Sequence, residues 1–331
     1  MRIISLFSGC GGLDYGFHKA GFDVAYANDI SPSVKATYEA NLGEIDIRDI
    51  CEVQNDELPD CDLILAGVPC QPFSNAGNRG SMADTRGTLF SEVVRIVDSK
   101  KPKVVLFENV RGFLSSKDDN GQPMPERIRH ELKQHGYNLY YELLNASDYD
   151  VPQNRYRVIM VGVRDDVGAE FHFPKVQEDK SGLTVGGVIY RPVANGEKQE
   201  VWGLSPQSRA IAKHIPEGGS WKDVPYEALP PRLKKIRDNM KKYRSPNFYR
   251  RFARGEIMGT ITAAATPENS GIIHPLEDRR YSVREIARFQ SFPDDFKFVG
   301  ATTSQKYKMI GNAVPVNFAN HIAQKIREDL F

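Results

Sequence analysis

The sequence has little of three features that often narrow the class of a protein. Its 331 residues include four cysteines, and no apolar run approaches the ~20 residues that cross a membrane. The lack of a long apolar run argues against a signal peptide and a membrane anchor. The cysteines show neither CxxC pairs nor zinc-ligand spacing, which favours reduced cytoplasmic thiols and no metal site. The net charge is only +1, from 44 basic and 43 acidic residues, and taken alone this argues against a nucleic-acid partner.

The rest of the composition is that of an ordinary globular protein. Hydrophobic residues at 40% and charged residues at 26% exclude wholesale disorder and a fibrous architecture. The length of 331 residues predicts one large domain, or one large and one small. In the first half, short β-branched runs alternate with helical periodicities, which is typical of a doubly wound α/β domain with a parallel sheet. The expected strands are residues 3–7, 24–27, 63–66, 104–107, 139–143 and 158–163.

A change of pattern predicts a second domain. Beyond about residue 173 the strand–helix alternation stops, while proline, glycine and clustered charge become frequent. Apolar spacing predicts helices again around 283–289 and over 316–330, and the last of these is expected to pack back on the first domain. With a boundary near residue 188, the predicted division is 1–188 plus 304–331 against 189–303.

Candidate functional groups follow four successive strands. Ligands of open parallel sheets bind beyond the carboxyl ends of the strands, where loops and helix N-termini converge. A glycine loop, SGCGG from Ser8, follows the first strand, and Asp29 follows the second at the spacing of a ribose-binding carboxylate. Together they indicate an adenosine-containing cofactor, although a tight βα turn explains the glycines equally well. Cys70 and Glu108 follow the third and fourth strands.

Cys70 and Glu108 each have an ordinary interpretation beside a chemical one. Most isolated cysteines are small buried hydrophobes, and most loop carboxylates are solvated. After Pro69 at a strand end, however, a helix N-terminus or a nearby cation would lower the pKa of the thiol and expose a thiolate. A carboxylic acid buried beside it would be able to donate a proton to a substrate ring. Facing an adenosine-type cofactor, the pair suits alkyl transfer by conjugate addition.

Seven motifs, in order along the chain, resemble those of the S-adenosylmethionine-dependent DNA (cytosine-5)-methyltransferases. They are FSGCGG from Phe7, PCQPFS from Pro69, DTRGTLF from Asp84, ENV from Glu108, QNRYR from Gln153, RYSVRE from Arg280 and GNAVPV from Gly311. The resemblance covers most of the chain, except for about 175–255. It implies an α/β fold in which the first domain contains a doubly wound, Rossmann-like methyltransferase sheet. The second, smaller domain would recognise the target.

The resemblance also implies a cofactor site. Phe7 would stack on the adenine, and Asp29 would bind the ribose hydroxyls from a position where many relatives have the longer glutamate. Asp49 and Ile50 would contact the adenine edge, and two residues near the C-terminus would close the pocket. The full set expected to bind S-adenosylmethionine is Phe7, Gly9, Gly11, Gly12, Asp29, Ile30, Asp49, Ile50, Pro69, Leu89, Asn312 and Val314.

For catalysis, the resemblance implies that the Cys70 thiolate adds to carbon 6 of a cytosine extruded from the duplex. Glu108 would act at ring nitrogen 3, and Arg157 would bind the carbonyl oxygen of the base. Arg155 would support the loop or bind a phosphate. Without the motif, both arginines would be interpreted as ordinary surface charge. The loop 74–86 would close over the extruded base, or is simply a mobile surface loop.

A basic segment, residues 231–254, is the expected DNA contact. It contains ten basic residues and one acid, Asp238, which gives a net charge of +9 and leaves −8 for the rest of the chain. Aromatic residues are interleaved, as in surfaces that engage phosphates and bases, although a solvated helix face is the alternative interpretation. The family places its target-recognition region here. The expected DNA-binding residues are Ser74, Arg86, Arg244, Asn247, Arg250, Arg251 and Thr260.

The sequence therefore predicts a monomeric DNA (cytosine-5)-methyltransferase of the prokaryotic modification type, since no regulatory segment precedes the first motif. Double-stranded DNA is the expected partner, and this type also allows a cognate restriction endonuclease that acts separately. An RNA cytosine methyltransferase is the alternative of similar chemistry, disfavoured by the basic segment. A nicotinamide-dependent oxidoreductase would leave Cys70 and Glu108 without a role. The same two residues argue against an inactive DNA-binding relative.

Overall fold

The structure, a computed structural model, describes residues 1–69, 85–118, 120–192, 199–239 and 247–331, with the backbone alone at 85–88 and 269. The described chain forms two compact units. The first unit comprises Met1–Asn145, Tyr156–Val176 and Val314–Phe331, and the second comprises Ala146–Arg155 and Gln177–Ala313. The sequence predicts different bounds, 1–188 plus 304–331 for the first domain and 189–303 for the second. These bounds remain a prediction.

The first unit is built on six strands. They are β1 (Arg2–Leu6), β2 (Asp23–Asn28), β3 (Leu63–Ala66), β4 (Val104–Val110), β5 (Tyr137–Asn145) and β6 (Tyr156–Arg164). They form one sheet in the order β2-β1-β3-β4-β6-β5. All six strands expected from the sequence are confirmed, most with one to three further residues at an end. Because β1 lies between β2 and β3, the strand order reverses there, and ligands of such sheets bind at this reversal.

The expectation of a parallel sheet is wrong for one strand. β1, β2, β3 and β4 pair in parallel, whereas β6 runs antiparallel to both β4 and β5. Only residues 146–155 join β5 to β6, with no α-helix among them, and this is too short for the crossover that a parallel pair requires. The antiparallel ladder places Val110 opposite Arg157, so β6 begins beside the carboxyl end of β4.

Helices pack on the sheet in the first unit and form most of the regular structure in the second. In chain order they are α1 (Gly12–Lys19), α2 (Lys35–Glu39), α3 (Thr85–Lys100), α4 (Met124–Gln134), α5 (Val185–Ile189), α6 (Pro206–Ala212), α7 (Pro231–Asp238), α8 (Pro267–Ser270), α9 (Val283–Phe289), α10 (Thr303–Asn312) and α11 (Val316–Leu330). None of these described helices is both long and apolar enough to cross a membrane.

The C-terminal helix α11 packs on α1, as its amphipathic pattern predicted. Gly16 permits the close approach, because a Cβ at this position would lie 2.4 Å from the Cβ of Ala319. Asn320 donates to the Gly16 carbonyl at 3.0 Å, and Arg327 donates to the Ala20 carbonyl at 2.7 Å. These contacts return the end of the chain to the first strand–helix segment of the same unit.

The second unit has a separate core and no strand among its described residues. Its core contains fully buried Trp221 with apolar residues from α6, α7 and the chain after them, including Ile211, Leu233 and Tyr249. Isolated bridges such as Gln153 with Met258 replace extended pairing. The absence of strand–helix alternation that the sequence indicated therefore holds in the described part of this unit.

Candidate active site

The loop after β1 is a tight turn with open space over its backbone at Gly9. Phe7, Gly9 and Gly11 have positive φ values of 59°, 58° and 89°, and Gly12 then begins α1. At Gly11 the φ of 89° favours glycine, and a Cβ would also lie 2.5 Å from the Leu42 side chain. At Gly9 nothing lies within 4 Å of the Cβ position, which leaves room for a ligand to approach the backbone closely.

The carboxylate of Asp29 is held by this loop and by the turn after β2. Its Oδ2 accepts a hydrogen bond from Gly9 N at 2.9 Å, and its Oδ1 accepts one from Ser31 N at 2.8 Å. Each oxygen keeps a further lone pair, so the half-buried group is an oriented acceptor for two neighbouring hydroxyls. The shorter side chain of aspartate thus stands in a fixed position one residue beyond the carboxyl end of β2.

A buried hydrogen-bond network that the sequence did not reveal supports the glycine loop. Asp14 on α1 is fully buried and accepts from Ser5 Oγ and the Tyr38 hydroxyl, both at 2.6 Å, while Ser8 Oγ lies 2.8 Å from Ser5 Oγ. Burial raises the pKa of Asp14 above its usual value, and burial together with Asp14 raises the pKa of Tyr38. The available signal was the position of Asp14 on the buried side of α1, where an apolar residue is expected.

The other residues expected to bind the cofactor are spread over several elements. Asp49 is half-buried and caps the 3-10 turn Ile50–Glu52, accepting from Cys51 N at 3.0 Å, while Ile50 is buried in the core. Ile30 and Pro69 are exposed, and Leu89 on α3 is half-buried against the core. Asn312 is exposed in the second unit, whereas Val314 is buried in the first.

The three described cysteines are poor candidates for a nucleophile. Burial raises the pKa of Cys10 and Cys61 to about 12 and that of Cys51 to about 11, so all three are protonated near neutral pH. Cys70 lies outside the described residues. Among the residues that the structure describes, no cluster of three or more His, Cys, Asp or Glu side chains is arranged to hold a metal ion.

Two of the expected catalytic residues meet at the carboxyl end of β4. Arg157 Nε lies 2.7 Å from Glu108 Oε1, and the side chains are 11% and 14% exposed. The register explains the contact, since Arg157 is opposite Val110 and Glu108 projects from the same face of the sheet. Arg157 Nη1 also donates to the Tyr156 carbonyl at 2.8 Å. The pair presents a carboxylate and a guanidinium side by side at the edge where ligands bind.

Arg155, two residues earlier, is held inside the second unit. It is 1% exposed, and its Nη1 and Nη2 donate at 2.8 Å to the carbonyls of Ile261 and Gly311. Gln153 acts similarly, donating to the Phe289 carbonyl at 3.1 Å and accepting from Ile261 N at 2.9 Å. The hydrogen bonds of Gln153 and Arg155 therefore join separate segments of the second unit, in keeping with one of the two roles expected for Arg155, support of the loop.

The expectation that Arg251 reads DNA bases needs correction. Arg251 is 4% exposed, and its guanidinium is surrounded by acceptors of the second unit. It donates to the carbonyls of Ala212, His274, Pro275 and Glu277 and pairs with Asp278 at 2.6 Å. A guanidinium committed to five internal acceptors is not available to a base edge.

Three of the six other described cations of the basic segment are also engaged. Arg237 has the carbonyls of Lys222 and Val224 as acceptors, Arg250 has Glu256, and Arg254 has Glu217. The described part of the chain provides no carboxylate within ion-pair distance of the other three, which lie on α7 together with Arg237, namely Arg232, Lys234 and Lys235.

The remaining residues expected to bind DNA have mixed positions. Asn247 is half-buried with its side-chain amide against Gly259, where a Cβ would approach the amide oxygen to 2.8 Å. Thr260 donates from Oγ1 to the Asn154 carbonyl at 2.7 Å. Three expected residues lie where side chains are not described, namely Ser74, Arg86 and Arg244.

The fold and site place the chain among α/β enzymes that bind a nucleotide-type cofactor at the strand-order reversal and react at the neighbouring strand end. Residues 1–328 match the family model of the C-5 cytosine-specific DNA methylases, and the chain belongs to this family. It is accordingly a DNA (cytosine-5)-methyltransferase, and the family uses S-adenosylmethionine as methyl donor.

Relatives and solved structures agree with this family. The chain is 37% identical to the Type II methyltransferase M.NgoFVII of Neisseria gonorrhoeae, over 98% of this chain and 86% of that protein. It is 31% identical to the Type II methyltransferase M.HhaI of Haemophilus parahaemolyticus, over 100% and 95%. A crystal structure of a DNMT2 mutant from Spodoptera frugiperda matches the fold with a TM-score of 0.71 at 19% identity, covering 98% and 99% of the two chains.

Proposed function

We propose that this methyltransferase modifies carbon 5 of a cytosine extruded from a specific duplex DNA sequence, through a covalent bond between Cys70 and cytosine carbon 6. The observation that carries the proposal is the Glu108–Arg157 pair at the carboxyl end of β4. β3, which pairs with β4 in parallel, ends at Ala66, four residues before Cys70 in the sequence. Asn109 Nδ2 donates to the Val68 carbonyl at 3.4 Å and ties this following segment to β4.

The first unit fits S-adenosylmethionine. The open space over Gly9 accommodates close approach by a ligand, and Asp29 offers fixed acceptors for two ribose hydroxyls. Phe7 is half-buried at the start of the loop, and Asp49 with Ile50 would meet the adenine edge. When bound, S-adenosylmethionine supplies an electrophilic methyl group on a sulfonium.

The chemistry assigned to the protein side chains overcomes the weak nucleophilicity of cytosine carbon 5. The Cys70 thiolate adds to carbon 6, forming a C–S bond and moving electron density to carbon 5. Glu108 holds a proton at ring nitrogen 3, and Arg157 donates from its remaining N–H groups to the carbonyl oxygen. After carbon 5 is methylated, loss of its proton and cleavage of the C–S bond restore the aromatic ring and the thiolate.

This chemistry needs a base outside the helical stack. Both faces of a stacked cytosine are covered, so the thiolate reaches carbon 6 only after extrusion, at a cost of about a few kcal/mol. We assign catalysis and cofactor binding to the first unit and target recognition to the second. On the second, Arg232, Lys234 and Lys235 of α7 are proposed to contact phosphates, together with the segment 240–246 that follows in sequence.

The proposed biological role is protection of host DNA. M.NgoFVII and M.HhaI are Type II methyltransferases by name, which supports a modification role for this chain with a separately acting endonuclease. We further propose that the protein acts in the cytoplasm as a monomer. Resistance of host DNA to a cognate endonuclease, gained on expression of the chain and lost with inactive protein, would test the role.

The covalent step is tested with Cys70→Ala and the matched variant Cys61→Ala. DNA carrying 5-fluorocytosine at the target traps the adduct, because fluorine at carbon 5 cannot leave as the proton does. We expect wild-type protein and Cys61→Ala to form a denaturant-resistant complex with this DNA in the presence of cofactor. Cys70→Ala should form none while still binding S-adenosylmethionine. Methyl transfer by Cys70→Ala at the wild-type rate would contradict the mechanism.

A further inference from the structure

Arg95 connects helix α3 to the segment proposed to meet the adenine. Its Nη2 donates to the Val53 carbonyl at 3.0 Å and to the Ile50 carbonyl at 3.3 Å, and its Nη1 donates to the Asn55 side chain. Its Nε pairs with Glu92, one turn earlier on α3, at 2.7 Å. One guanidinium thus binds both ends of the turn that follows Asp49.

The turn has limited support of its own. Its backbone hydrogen bonds are local, from Glu52 N to the Asp49 carbonyl at 2.9 Å and from Val53 N to the Ile50 carbonyl at 3.3 Å. The side chains of Ile50 and Val53 are buried in the same apolar cluster as Val93 of α3. Apolar packing is non-directional, so it holds the turn against the helix without fixing the orientation of its peptide groups. The hydrogen bonds from Arg95 supply that orientation.

Arginine is suited to this position for a geometric reason. Its planar guanidinium carries five N–H donors in a fixed fork, whereas lysine presents a compact ammonium on a flexible stem. The Arg95 side chain is 30% exposed, so its bonds are partly shielded from water. No motif of the chain includes Arg95, and its partners Ile50 and Val53 are more than 40 residues away in sequence.

We propose that Arg95 is a positioning residue for S-adenosylmethionine, acting by fixing the Ile50 and Val53 carbonyls so that Asp49 and Ile50 face the adenine edge. The inference rests on the proposed cofactor site. Arg95 touches neither cofactor nor cytosine in this role, so its loss should weaken cofactor binding and leave the chemical step nearly unchanged.

The test measures cofactor affinity and local order separately. For Arg95→Ala we expect the Kd for S-adenosylmethionine, from calorimetry without DNA, to rise about 10-fold, a typical result of losing two hydrogen bonds from a charged donor. The value of kcat at saturating cofactor should stay within about twofold. In cofactor-free protein, the amides of Glu52 and Val53 should exchange faster with deuterium. Arg95→Lys should show an intermediate Kd.

Arg129→Ala is the matched control. Arg129 on α4 forms the same type of pair with a glutamate three residues earlier, Glu126, at 2.6 Å, and within the described chain it donates to no backbone carbonyl of another segment. Its loss should leave the Kd for S-adenosylmethionine within about twofold of wild type. If Arg95→Ala fails to fold, Arg95→Lys becomes the test variant, and its Kd for S-adenosylmethionine should rise by at least about threefold.

The outcomes separate the inference from the proposed function. An unchanged Kd for folded Arg95→Ala overturns the inference, as does an equal loss in Arg129→Ala. If wild-type protein binds S-adenosylmethionine while Asp49→Ala has no effect on Kd, the turn is not the adenine contact, and the inference falls while methyl transfer stands. If wild-type protein binds no S-adenosylmethionine, the proposed function fails first.

Discussion

Arg157 in the first unit and Arg251 in the second are both buried and both paired with a carboxylate, yet their surroundings differ. Arg157 has Glu108 and one carbonyl as partners and lies at the ligand-binding edge of the sheet. Arg251 has Asp278 and four carbonyls and lies in the interior of its unit. The number of internal acceptors, rather than charge or burial, separates an arginine that can serve a substrate from one that holds segments together.

The same comparison applies to whole regions. The active-site residues of the first unit gather at strand ends because neighbouring strands bring their carboxyl ends to one edge. The basic segment of the second unit has a net charge of +9 in sequence. Three of its arginines are nevertheless paired with acids from outside the segment, namely Glu217, Glu256 and Asp278. Charge counted along a sequence therefore overstates the positive surface that remains for DNA.

The largest expected effect is on catalysis at the first-unit pair. Glu108→Gln and Arg157→Ala should each lower kcat by about 10²–10⁴-fold, because each removes a group proposed to act on the base in the transition state. Initial rates of labelled methyl transfer to DNA measure the loss, with the Kd for S-adenosylmethionine expected to stay near wild type. Glu142→Gln, an exposed carboxylate on β5, is the control. Full activity of Glu108→Gln would remove this pair from the mechanism.

The next effect is on stability and distinguishes the two arginines directly. Arg251→Ala should lower the free energy of unfolding by about 3–5 kcal/mol, because the buried carbonyls of Ala212 and His274 lose their donor and a packed side chain is removed. Arg157→Ala should cost about 1–2 kcal/mol, since it leaves fewer acceptors without a donor, namely Glu108 and one carbonyl. Urea denaturation measures both. A folded Arg251→Ala variant of wild-type stability that had lost sequence specificity would restore Arg251 as a base reader.

A smaller effect should identify the cations that face DNA. Replacing Arg232, Lys234 and Lys235 with glutamine should reduce the slope of log Kd against log salt by about 2 to 3, since each phosphate contact contributes about 0.9. Arg254→Gln, which removes a cation paired with Glu217, should leave the slope unchanged. Equal slopes for wild type and the triple variant would place the DNA contact on another surface.

The smallest effect concerns the network under the glycine loop. Burial holds the pKa of Asp14 above its unfolded value, so Asp14 lowers stability progressively as pH rises from about 4 through the folded pKa. In Asp14→Asn this dependence should vanish, and the variant should gain stability relative to wild type as pH rises. Urea midpoints from pH 4 to 8 measure the difference. A constant difference across this range would show that Asp14 does not titrate there.

The sequence predicts the first unit well because its signals are local. Short runs of β-branched or other apolar and aromatic residues mark the six strands. A motif that directly follows a strand is located once the sheet is known. The direction of β6 was missed because it depends on the length of the connection from β5, not on the strand itself. In the same way, the different environments of Arg155 and Arg157 depend on partners 40 or more residues away.

Longer-range contacts explain what no pattern indicated. Asp14 is joined to Tyr38, and Arg95 to Ile50 and Val53, by hydrogen bonds between elements that are separate in sequence. Both would be interpreted from sequence alone as ordinary helical polar residues. The acids that pair with arginines of the basic segment, Glu217, Glu256 and Asp278, were not indicated by any pattern either.

Bisulfite sequencing of DNA from a host that expresses the chain tests the central claim most directly, with Cys70→Ala expressed in parallel. Wild-type protein should protect one cytosine of a recurring duplex sequence from conversion, and Cys70→Ala should protect none. Unprotected DNA from the wild-type host, or equal protection by Cys70→Ala, would contradict cytosine-5 methylation through a Cys70 adduct.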